Sequence, residues 1–255
     1  WTYFPIPFVL SSRGYGLMLD TTRSGTFRLG SDREDAWQVS VDGAELDAVI
    51  FTGPEPLDVI EQFTGLTGRP PLPQPWALGV WKTTLSGADA VRAEAQRLRE
   101  EDLGVSAVWI YDQLEQETNS GWNSAMGYPE GEYLPGLVTE LHEDGFKVLG
   151  YLNTQFIVNR PRTDEGIAKG YFLKRPDGET YLVPGPDPDP DVGIKFGTMA
   201  LYDPTHPEGV PWWQGLLRTM LLETGYDGWM HDFGEYTPAD AVFADGRTGD
   251  ELRNG

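Results

Sequence analysis

The chain has 255 residues, 39% hydrophobic and 12% aromatic with nine Trp, a folded globular composition that excludes a disordered chain. Its net charge is −21 and it contains no cysteine; this disfavours nucleic acid and anionic membrane as partners and excludes disulfides, thiol catalysis and Cys-ligated metals. No apolar run reaches the ~18 residues of a membrane span and no secretory signal is visible, with localisation otherwise open and leaning to the cytoplasm.

The chain starts at Trp1 within apolar material and stops at Asn254-Gly255 with no closing element, so it reads as a fragment cut at both ends. Residues 1–66 are β-rich. Strands are expected at Tyr3 to Leu10, Gly16 to Asp20, Gln38 to Val41 and Asp47 to Phe51, separated by turn signals such as Ser11-Ser12-Arg13-Gly14 and Asp42-Gly43. Their spacing fits part of an antiparallel β-sandwich. Pro56 to Thr64 reads as a short helix with Leu57, Ile60 and Phe63 on one side. Residues 67–75 form a connector: four prolines between Pro70 and Pro75 allow neither a helix nor a central strand.

From residue 76 to 255 strands and helices alternate. Ala77 to Thr83 is an expected strand, and Ser86 caps a helix with Ala88, Val91, Ala95 and Leu98 on one face. Val105 to Asp112 is continuously apolar, as a parallel strand covered on both faces should be. Pro135 opens a helix carrying Leu137, Val138 and Leu141 and stopped by Gly145, and Lys147 to Phe156 is the third strand. An insertion at about 157–200 holds a hairpin turning at Asp177-Gly178 and the Pro-Asp run from Pro184 to Asp191, read as a stiff solvated loop. A helix over Trp212 to Thr224 leads into the fourth strand, Gly228 to Asp232. The fold class is α/β: the first half of a (β/α)8 TIM barrel, because ~180 residues hold four strands where a whole barrel takes ~250.

Catalytic groups of such barrels sit at the C-terminal ends of strands. Asp232 ends the fourth strand and Glu235 follows three residues later. Paired carboxylates serve glycoside hydrolysis, one attacking or orienting water while the other donates a proton. The same spacing also fits a helix-capping Asp232 and a solvated loop Glu235. Asp112 ends the second strand, where a carboxylate accepts charge-assisted hydrogen bonds from sugar hydroxyls or simply opens a turn. Among the aromatics, Trp122 is the foremost candidate sugar contact, with Trp81 and Trp229 as further candidates, although Trp side chains in strands more often fill the core. His231 alternates away from Asp232 and should point away from the site. His142, His206 and His231 have no ligand spacing, so no metal and no cofactor is expected.

With these residues in hand the chain resembles glycoside hydrolase family 31, the α-glucosidase and α-xylosidase family. The resemblance rests on Pro5-Ile6-Pro7-Phe8 through Gly16, on Leu66 to Pro73 followed by Trp76-Ala77-Leu78-Gly79, and on Gly225 to Asp232 with Glu235 beyond. It implies a carbohydrate substrate and a retaining α-glycosidase in which Asp232 is the nucleophile. It also implies an Asp acid/base on a later strand, past Gly255, so that the chain alone should not turn over substrate. Asp232-Phe233-Gly234-Glu235-Tyr236 is similar to the sulfoquinovosidase branch. That branch grips a sulfonate with an Arg in the loop after strand two, and here no Arg lies between Arg99 and Arg160. Glu115, Glu117, Glu130 and Glu132 in that stretch would repel a sulfonate, so a neutral α-glycoside is expected. Non-catalytic carbohydrate binding is the rival from another class.

Overall fold

The proline run is where the chain divides. The computed structural model describes residues 6–84, 87–110, 136–184, 197–232 and 234–252. Contacts separate it into one unit of Trp1–Leu72, Glu235–Asp240 and Arg247–Gly255, and another of Pro73–Gly234 and Ala241–Gly246.

In the first unit, β1 (Phe8–Ser11), β2 (Tyr15–Leu19) and β5 (Ala48–Thr52) form an antiparallel sheet in the order β1-β2-β5. The β1–β2 turn needs Gly14, whose φ is 81°; a Cβ there would lie 2.8 Å from the Gly53 carbonyl oxygen. Helix α1 (Pro56–Thr67) starts with Pro in its first turn, and the Asp58 carboxylate accepts the Glu55 N–H at 3.0 Å. Its Val59 and Phe63 close a small core with Phe8, Met18 and Phe51, in which Phe8 stacks on Phe63 at 4.3 Å. A hairpin of β3 (Gly25–Leu29) and β4 (Trp37–Val41) pairs only with itself among the described residues. Strand β3 was not among the expected elements: its alternation amounts to two apolar residues, Phe27 and Leu29, and most of the strand is exposed.

The second unit is built on a parallel sheet in chain order: β6 (Val80–Thr84), β7 (Val105–Ile110), β8 (Lys147–Asn153) and β12 (Gly228–Asp232). Helix α2 (Gly87–Glu100) buries Ala88, Val91, Ala95 and Leu98, and α3 (Leu137–Glu143) buries Leu137, Val138 and Leu141. These pack on Val108, Ile110, Val148 and Leu152 from one face of the sheet, together with Trp213 and Leu216 of α5 (Gly209–Leu217). Burying each of the Val, Leu and Ile side chains here contributes roughly 1.5–3 kcal/mol.

Three expected elements differ. Ala77 to Leu78 belongs to a 3₁₀ turn, Pro75–Leu78, and the strand starts at Val80. Proline is suited to the first turn of a helix, and the Ser106 hydroxyl has its one proton within reach of two carbonyls, that of Trp76 in this turn at 2.9 Å and that of Val80 at the start of the strand at 3.0 Å. The third strand does not run through to Phe156. It leaves the parallel sheet after Asn153, and β9 (Gln155–Ile157) instead joins β11 (Thr198–Leu201) and β10 (Leu182–Pro184) in an antiparallel sheet. The helix expected over 212–224 begins earlier as α5 and ends in a π-helical turn, Arg218–Leu222. Helix α4 (Pro161–Lys169) was not expected, although Pro161 opens it and Gly170, at φ 76°, closes it. The Asp177-Gly178 turn is present, with Lys174 bridging Thr180 and Gly178 at φ 91°; the Pro-Asp run from Pro186 to Asp191 lies outside the described residues. Buried Asp203 ties residues 241–246 to this unit by accepting the Ala244 N–H at 2.7 Å and the Thr205 N–H at 2.8 Å.

Candidate active site

Strand register decides which side chains share a face. β12 pairs with β8 in parallel, Met230 beside Tyr151 and His231 beside Leu152. Side chains alternate along each strand, so Tyr151, Met230 and Asp232 stand on the face turned away from the helix core. Trp109 of β7 and Trp81 of β6 belong to that same face through the pairs Trp109–Leu149 and Trp81–Ala107. Trp229 and His231 stand on the opposite face.

Asp232 occupies the C-terminal end of β12 and is half-buried. The Tyr151 hydroxyl donates to its Oδ2 at 2.8 Å. Tyr151 itself is 2% exposed, so its ring is held by packing and its hydroxyl has a fixed place. A phenol donating to a carboxylate makes a charge-assisted bond, roughly twice as strong as a neutral one. Nothing local in the sequence pointed to Tyr151. The only signal was one polar-tipped side chain near the end of the apolar run Val148-Leu149-Gly150-Tyr151-Leu152.

His231 points where alternation places it, away from Asp232, and stacks on Trp213 with ring centroids 5.5 Å apart. Its surroundings lower the imidazole pKa because burial disfavours the charged form, while the neighbouring Asp232 pulls more weakly the other way. The fold thus favours the uncharged ring over the imidazolium.

The other candidates are spread out. Trp229 shares the helix-covered face with His231, so β12 presents it away from the Asp232 carboxylate. Trp81 is on the Asp232 face, but it is the second residue of β6, about 10 Å below the strand's C-terminal end at ~3.3 Å per residue. It packs edge-on against Trp109 with centroids 6.4 Å apart, a wall contact low in the sheet. Glu235 lies in a 3₁₀ turn, Gly234–Tyr236. Asp112 and Trp122 lie outside the described residues. Among the described residues no group of three or more His, Cys, Asp or Glu could hold a metal ion, and no helix is long and apolar enough to cross a membrane.

A second polar cluster sits at the other end of the same strands. Asp227, just before β12, accepts hydrogen bonds from Lys147 Nζ at 2.7 Å and the Val148 N–H at 2.9 Å, and its Oδ2 is 2.7 Å from His142 Nε2. Burial would raise this carboxyl's pKa, but the three partners outweigh it and the net effect is a lowering. Groups at the N-terminal face of a barrel serve stability.

Comparison with known proteins finds relatives for this fold. The chain is 31% identical over 261 residues to the α-xylosidase XylQ of Lactiplantibacillus pentosus, covering 99% of this chain and 32% of the relative. It superposes with a TM-score of 0.80 on a GH31 family sulfoquinovosidase from E. rectale bound to an aza-sugar inhibitor, at 25% identity, covering 97% of this chain and 37% of that one. A cycloalternan-degrading enzyme from Trueperella pyogenes, solved with a covalent intermediate, matches at TM-score 0.77 and 26% identity, over 99% of this chain and 38% of that one. The chain thus spans only about a third of its relatives' length. Residues 70–253 match the Glycosyl hydrolases family 31 TIM-barrel domain, and with the parallel sheet and the relatives above, this chain belongs to glycosyl hydrolase family 31.

Proposed function

We propose that the full-length protein is a retaining α-glycosidase that hydrolyses a neutral α-glycoside by double displacement, with Asp232 as nucleophile and Glu235 as a supporting carboxylate. The observation that carries this is the Asp232 carboxylate at a strand's C-terminal end, on the sheet face away from the helices, held by Tyr151 at 2.8 Å. Asp232 attacks the anomeric carbon and forms a glycosyl ester. A second carboxylic acid, expected outside these 255 residues, protonates the leaving oxygen and later deprotonates the incoming water. The covalent intermediate of the similar Trueperella enzyme supports this two-step course. Asp112 and Trp122, in the stretch after β7, are proposed as contacts to sugar hydroxyls and ring. Trp229 is not carried forward, since its face is the other one.

Neutrality of the substrate rests on the stretch between Arg99 and Arg160, which holds no Arg and several Glu. The α-xylosidase relative, whose sugar carries no charged substituent, supports it. The sulfoquinovosidase likeness favours an anionic sugar as second reading. Both are tested on the full-length protein. Asp232→Asn should abolish turnover of an activated aryl α-glycoside; activity within a few-fold of wild type would remove Asp232 from its role. Faster hydrolysis of an α-sulfoquinovoside than of the matching α-xyloside or α-glucoside would overturn the neutral substrate. Absence of any covalent label from α-configured mechanism-based inhibitors would favour a non-catalytic binding protein.

A further inference from the structure

We infer that Tyr151 is a positioning residue that speeds breakdown of the glycosyl-enzyme ester, by holding the charge that returns to Asp232. This rests on Asp232 being the nucleophile and goes beyond it. The phenol oxygen lies 2.8 Å from Asp232 Oδ2. The ring is 2% exposed, on a strand that pairs directly with β12 and carries it beside Met230, two residues before Asp232. A donor held this firmly cannot follow the carboxylate when its charge changes.

The two chemical steps use that donor in opposite senses. In the first, a carboxylate oxygen attacks the anomeric carbon and the bond to the leaving oxygen breaks. That oxygen takes a proton from the second carboxylic acid. Negative charge leaves Asp232, so the hydrogen bond from Tyr151 weakens towards the transition state. In the second step water attacks the anomeric carbon and passes its proton to the second carboxylate. The ester bond breaks and its electron pair returns to Asp232. Charge now grows where the phenol points, and a preorganised donor aimed at developing charge lowers the barrier. Removing one such donor costs up to ~10²–10³-fold where a full charge develops. Because only part of a charge develops on Asp232, about 10- to 100-fold is expected here.

The test is Tyr151→Phe in the full-length enzyme, assayed with aryl α-glycosides whose leaving groups span a range of acidity. The expected result is a kcat loss of about 10- to 100-fold with kcat/KM little changed or raised. In addition kcat should no longer depend on the leaving group, and intact-protein mass spectrometry should find a steady-state glycosyl adduct on Asp232. Equal losses in kcat and kcat/KM with an unchanged leaving-group dependence, or no loss at all, would overturn it. If Tyr151→Phe does not fold, 3-fluorotyrosine at position 151 keeps the ring and sharpens the donor. It should speed decay of the preformed glycosyl-enzyme ester, followed by intact-protein mass spectrometry, and an unchanged decay rate would overturn the inference. Activity of Asp232→Asn would sink the nucleophile assignment instead, so the two failures are told apart.

Discussion

His231 shows how one strand assigns neighbouring residues to different work. Asp232 faces Tyr151, while His231, one residue earlier, stacks on Trp213. Its lowered pKa means the folded chain prefers the neutral ring. A depressed folded-state pKa contributes stability that is present above the unfolded value, ~6.5, and is lost as pH falls through the folded value. Wild type should therefore lose stability between pH 7 and pH 5 relative to His231→Phe, which keeps the stack without the titration. The gap between the two should widen from pH 7 to pH 5, where the ring of the wild type takes up a proton. Urea unfolding at both pH values checks this; a gap independent of pH would mean that the ring's charge state does not matter to the fold.

At the scale of elements, the Asp227 cluster fastens β8 to the entry of β12 below the proposed site. Its carboxyl is held below the usual range by Lys147, the Val148 N–H and His142 against the opposing effect of burial. That contribution is present above an unfolded Asp pKa of ~3.9 and fades as pH falls through the lower folded value. Asp227→Asn should cost about 1–3 kcal/mol at pH 7, the range for a lost charged hydrogen-bond partner. The deficit should shrink once pH falls below ~4. A deficit unchanged at low pH would mean the loss comes from packing and not from the carboxylate's charge. Much of this scaffold was legible in local pattern. The spacing of Ala88, Val91, Ala95 and Leu98 marked the buried face of α2, and Gly228 to Asp232 marked β12 to the residue. What local pattern could not carry was partnership. The turn of the chain at Thr154 from a parallel to an antiparallel sheet depends on β11, more than forty residues on. The Tyr151–Asp232 bond joins positions 81 apart through a register that no single segment encodes. Helix α4 is a different case: Pro161, Lys169 and Gly170 are readable end signals, but they lie in a stretch dominated by hairpin and loop signals.

At the scale of the whole chain, the described strands of the parallel sheet end in two edges, β6 and β12. Among the described residues β6 pairs only with β7 and β12 only with β8. Val80 is 60% exposed, Trp81 44%, Trp229 40% and Met230 41%, so the apolar exposure of this sheet gathers on its two edge strands. Unpaired strand edges template association with other chains, and apolar surface strengthens the tendency. In relatives about three times as long, further chain is available to cover such edges. The 255 residues expressed alone should then self-associate as concentration rises and show no turnover of an activated aryl α-glycoside. Sedimentation velocity across a concentration series, run beside the full-length protein, checks this. A monodisperse, cooperatively folding monomer would show that the edges need no cover. Turnover by that monomer would mean that the proton donor lies within these residues after all.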